Sequence, residues 1–90
     1  MKILDMTTFM QDGLIREVAF YEKVEAHDWE TYRDQRVLIK GCGTTVIPPW
    51  AFMVVTAQLA HIAKSIRYGN EHSSVPIFSR LYKEATDARR

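Results

Sequence analysis

Ninety residues, 47% hydrophobic and 26% charged with four Gly and three Pro, have the composition of a folded globular chain rather than a disordered tail. Twelve Lys and Arg against eleven Asp and Glu leave a formal net charge of +1, which removes binding to nucleic acid or acidic membrane through bulk positive charge. A single cysteine excludes an intramolecular disulfide framework and fits a reducing, cytoplasmic compartment.

The opening Met1-Lys2-Ile3-Leu4 is broken at once by Asp5, so no leader is expected. The longest apolar stretch, Val46 to Ala60, is interrupted by Pro48, Pro49, Thr56 and Gln58 and is shorter than the roughly 20 residues a bilayer demands. It reads as a buried helix, not a membrane span.

In chain order, Ile3 to Met6 reads as a short strand. Thr7 to Gly13 reads as a loop whose Phe9 and Met10 need shelter, with Gln11-Asp12-Gly13 as its turn. From Arg16 to His27, Phe20, Tyr21 and Val24 recur on one side of a helix that turns Glu17, Glu22, Lys23 and Glu25 to water. At the end of that helix, His27 makes a favourable contact with the helix dipole. Asp28 ahead of Trp29 to Tyr32 predicts a capped helical turn. Val37-Leu38-Ile39 is an unalternating branched run, the pattern of a strand buried on both faces. Gly41 to Thr45 is flexible backbone, and Pro48-Pro49 opens a helix expected to run to about Ser65. The first half of that helix, Trp50 to Val55, is apolar all round and must be buried on more than one side. Ser65 to Tyr68 reads as a third strand with Gly69-Asn70 as a turn, and Glu71 to Val75 as a loop. Phe78, Leu81, Tyr82 and Ala85 fall at helical spacing and predict a C-terminal helix, partly frayed over residues 80–90.

These elements sum to one α/β domain over residues 1–90, its core at about 14–79. It combines a short, mostly parallel sheet of about three strands with two main helices and the C-terminal helix, in two or three layers. Covering Val37 to Ile39 on both sides favours a doubled-back strand order with that strand flanked by its neighbours.

Asp28-Trp29 with Tyr32 and Asp34, Val37 to Gly43, Pro48-Pro49, Ala63 to Ile66, Tyr68-Gly69 and Ser74-Val75-Pro76 together resemble a bacterial family catalogued as domain of unknown function 2480. The resemblance covers about residues 14 to 79. It implies that longer relatives carry two related halves, of which this chain looks like the second. Where those second halves tend to show a Cys, this chain has His72, which weakens any two-cysteine site. The family implies an architecture and a candidate site, and no activity.

The candidate site is Gly41-Cys42-Gly43-Thr44-Thr45, between a strand and a helix start. Parallel sheets collect ligands at the carboxyl ends of their strands, and helix N-termini there favour negative charge. Gly41, Cys42, Gly43, Thr44 and Thr45 are therefore the expected contacts of a small anionic or polar ligand. A helix N-terminus also lowers a thiol pKa, so Cys42 is a candidate nucleophile or redox thiol, with His72, in the loop after the third strand, as candidate base. The plain alternative is a small buried side chain between two turn glycines. The loop matches neither a Walker motif nor a dinucleotide fingerprint, so no cofactor is assigned. Cys42 and His72 supply at most two of the four donors zinc takes, so neither is a metal. Trp29, Tyr32 and Trp50 are not interleaved with a basic stripe, which leaves no single-strand nucleic-acid platform.

Three function classes follow. The favoured one is a small non-enzymatic binding or regulatory module with its site around Cys42. The others are a thiol-dependent enzyme or redox protein and a structural homodimeric module. A homodimer is expected in any case, because a short sheet leaves edges open and the Trp50 to Val55 segment lacks cover. Its interface would draw on Trp50, Phe52 and Met53.

Overall fold

The computed structural model describes residues 1–41 and 46–80. Strand β1, Lys2–Asp5, runs into a 3-10 turn, Met6–Phe9, whose first N–H groups need an acceptor. Asp5 supplies it: Oδ1 accepts from the Thr7 N–H at 3.0 Å and from the Thr7 hydroxyl at 2.9 Å. The expected shelter for Phe9 is found, since both Phe9 and Met6 are fully buried. A two-residue turn follows at Asp12 and Gly13, both at positive φ, closed by paired backbone hydrogen bonds between Gln11 and Leu14.

Helix α1, Glu17–Ala26, buries Phe20 and Val24. The turn Trp29–Tyr32 is a short 3-10 segment as expected, but the Asp28 carboxylate makes no capping bond to it. Trp29 instead ties it to α1, its indole N–H donating to Val24 O at 2.8 Å. Strand β2, Arg36–Lys40, leads through residues outside the description to helix α2, Pro49–Ala60. That helix stops five residues before the expected Ser65, which belongs instead to β3, Ser65–Gly69. Its end is closed from a distance, where the Arg80 guanidinium donates to Ala60 O at 3.3 Å and Ala63 O at 3.1 Å.

The chain after β3 departs most from expectation. In place of a loop and the start of a helix, Ser74–Ser79 forms a fourth strand, β4, antiparallel to β3, so Phe78 is a strand residue. Asn70 makes the tight connection, its Oδ1 accepting from the His72 and Ser73 N–H groups, both at 2.8 Å. Such side-chain mimicry of a turn favours a hairpin over a loop. The remainder of the expected C-terminal helix, residues 81–90, lies outside the described residues.

The sheet order is β1-β2-β3-β4, with the first two pairings parallel. The doubled-back order is thereby corrected. Strands added in one direction through right-handed crossovers place both helices on one face. That is the arrangement seen: Phe20 and Val24 of α1 and Ala51, Val55 and Leu59 of α2 join Leu4, Val37, Ile39 and Ile66 in one buried cluster. Trp50 bridges the helices, edge-on to Phe20 at 5.2 Å and stacked on Tyr21 at 6.0 Å. Leu38 points the other way, in one row with Ile3, Arg67 and Pro76, and is also buried. Among the described residues no helix covers that second face, and the described elements form two layers.

Candidate functional site

Helices α1 and α2 leave Tyr68 of β3 and Val75 and Ile77 of β4 exposed on the helix-bearing face, while Phe78 packs against the core. A cleft of about 340 Å³ opens there between α2 and the sheet. Its floor is Ile39 and Tyr68, paired in register one residue before the ends of β2 and β3, so the cleft lies at the carboxyl end of the parallel strands. One wall is α2 with its approach, namely Ile47, Pro49, Phe52, Met53 and Thr56; the other is Ile77 of β4. Pro49 starts the helix without wasting an N–H, and the spacing of Phe52, Met53 and Thr56 puts the three on one side of it. Thr56 turns its hydroxyl inward to the helix, donating to Phe52 O at 2.7 Å.

Ile77 lies two residues beyond Val75, which pairs with Tyr68, so alternation puts it on the cleft face, where the strand is also irregular. Ile66 pairs with Phe78 but Arg67 with Pro76, so Ile77 is the extra residue of a β-bulge. Phe52 and Tyr68 meet edge to face with ring centroids 5.0 Å apart. Among the described residues no charged side chain lines the cleft. The large exposed apolar residues Met53 (69%), Tyr68 and Ile77 lie in it, and Val75, directly opposite Tyr68, lies beside it.

Of the residues the sequence pointed to, Cys42, Gly43, Thr44 and Thr45 lie outside the described residues. Gly41 is at the cleft: a Cβ built on it would lie 3.6 Å from both Phe52 Cζ and the Tyr68 hydroxyl. His72 is exposed in the β3–β4 turn. Lys40 and Glu71, 3.0 Å apart, join that turn to the end of β2, so Gly41 and the His72 loop share one edge of the sheet. The Lys40 ammonium holds the Glu71 carboxyl below its usual range. Among the described residues no group of three or more His, Cys, Asp or Glu could hold a metal, and no helix is long and apolar enough to cross a membrane. Of the expected interface residues, Met53 projects outward, Phe52 lines the cleft, and Trp50 is occupied by α1.

Sequence reasoning missed Ile77 and Tyr68 as site residues. Tyr68 was visible as a strand residue but its pairing with Ile39 follows only from register, and Ile77 fell in a segment read as loop and helix.

Residues 3–80 match the family described as Protein of unknown function (DUF2480). The chain belongs to that family. The matched span takes in all of the described strands but Lys2, helices α1 and α2, and every described residue of the cleft. No curated protein and no solved structure matches the chain.

Proposed function

We propose that this DUF2480 chain is a non-enzymatic binding module that holds a small, uncharged, largely apolar ligand in the cleft between α2 and β4. The observation that carries this reading is the cleft itself. Its volume, about 340 Å³, lies at the small end of ligand sites, and its lining is apolar with two hydroxyls, the usual make-up of such sites. Gly41, the described residue of the site expected around Cys42, lies at the cleft. A reducing, cytoplasmic setting goes with this reading on the strength of the single cysteine. A thiol enzyme finds less support, because the candidate base His72 is exposed in a turn and its neighbour Glu71 is paired with Lys40.

The test is a titration with N-phenyl-1-naphthylamine, an uncharged fluorophore that brightens in apolar surroundings. One saturable site is expected, and Ile77→Lys should weaken it more than tenfold, because it sets an unpaired charge into the cleft. Ile77 is half exposed, so this variant should still fold. Unchanged binding by Ile77→Lys would sink the reading.

Self-association is a second reading, favoured by the exposed apolar rim of Met53, Tyr68, Val75 and Ile77. A twofold copy packed rim to rim would close the cleft. Light scattering at micromolar concentration should then give about twice 10.4 kDa, falling to one chain in Met53→Glu. A wild-type mass of one chain would rule the dimer out.

A further inference from the structure

Resting on the ligand reading above, we propose that Tyr68 is the recognition residue of the cleft and that the ligand is a neutral aromatic molecule carrying one hydroxyl or carbonyl oxygen. The cleft has two polar side chains and they are not equivalent. The Thr56 hydroxyl hydrogen is committed to Phe52 O at 2.7 Å. The Tyr68 hydroxyl has no hydrogen-bond partner among the described residues, while its ring is held edge-on by Phe52 at 5.0 Å. It lies 3.6 Å from the place a Cβ would occupy on Gly41, so the glycine itself sets no side chain against the hydroxyl.

The rest of the lining determines the ligand's body. With no charged side chain among the described residues of the cleft, an ionised ligand group would be desolvated there without a counter-charge, which is costly and favours a neutral ligand. The phenyl ring of Phe52 and the aliphatic walls of Ile39, Ile47 and Ile77 suit a flat ring stacked or edge-on against them. A purely apolar ligand would strip water from the Tyr68 hydroxyl and give nothing back, whereas an oxygen at the ligand's edge restores that bond.

The experiment compares 2-naphthol with naphthalene by equilibrium dialysis against the wild-type chain and Tyr68→Phe. The preference of the wild type for 2-naphthol over naphthalene should shrink by about 3- to 10-fold in Tyr68→Phe, the range one neutral hydrogen bond commands, with naphthalene bound at least as tightly as by the wild type because no hydroxyl is then desolvated. Tyr68 is partly exposed and its hydroxyl is unbonded among the described residues, so the variant should keep the wild-type unfolding midpoint. The same preference in both proteins would overturn the role of Tyr68 and leave the cleft reading standing. If neither probe binds either protein, the cleft reading fails and this proposal with it.

Discussion

His27 shows how a single residue takes its chemistry from its neighbours. It ends α1, where the helix dipole favours a cation, yet its ring sits edge-on to Phe9 at 5.2 Å and Trp29 at 4.9 Å and stacks on Tyr32 at 5.6 Å. Its Nε2 shares a 2.8 Å hydrogen bond with the Tyr32 hydroxyl. Burial pushes the imidazole below its usual 6.5, and the nearby Asp28 carboxylate only partly pulls it back. The same burial pushes the Tyr32 phenol up, which keeps it protonated. The folded chain therefore resists a proton that the unfolded chain accepts. The stability tied to neutral His27 is complete above pH 6.5 and is lost as the pH falls through the lower folded-state value. Between about pH 7 and about pH 5 the melting temperature should drop less in His27→Gln than in the wild type. An equal drop would contradict this account. The sequence showed His27 at a helix end, and three of the four cluster members are close in the chain. The fourth, Phe9, is eighteen positions away, so the burial that reverses the expected charge preference was only partly legible.

At the level of elements, the β3–β4 hairpin shapes the cleft, and Gly69 makes the hairpin possible. Gly69 has φ +145°, and a Cβ there would meet Ser73 O at 2.3 Å and Ser74 Cα at 2.7 Å, both backbone atoms that cannot swing aside. Gly69→Ala should cost about 2 kcal/mol or more, measured by chemical denaturation. A loss near zero would show that the turn has another geometry. The Gly69-Asn70 turn was legible, but the strand after it was not, because Pro76 reads as a break. A proline is tolerated in an edge strand, where one side of the backbone has no ladder to serve. The bulge at Ile77 also breaks the alternation that marks a strand. By contrast Val37 to Ile39 and the Pro48-Pro49 helix start could be read directly, since branched runs and N-terminal prolines act through local backbone preferences.

Across the whole molecule, the order β1-β2-β3-β4 explains why the apolar surface lies where it does. Among the described residues α1 and α2 cover β1 to β3 and Phe78 of β4 packs against the core, while Val75 and Ile77 of β4 stay exposed beside α2. The sheet edges themselves are guarded: β1 is four residues long with Lys2 and Asp5 at its ends, and β4 carries Pro76 and the bulge, features that discourage strand addition. The sequence indicated that the Trp50 to Val55 segment needs cover on several sides. The structure supplies cover from the sheet, from α1 through Trp50 and from Tyr68 against Phe52, and leaves Met53 open. Which side stays open depends on strand order, which local patterns do not encode.

The most direct test of the cleft as a binding site is an amide NMR titration of the full chain with N-phenyl-1-naphthylamine. Saturable shifts should cluster at Ile47, Phe52, Thr56, Tyr68 and Ile77, with β1 and the cluster around Phe9 and Trp29 unmoved. Shifts centred on the opposite sheet face at Ile3 and Arg36, or no saturable shift anywhere, would contradict it.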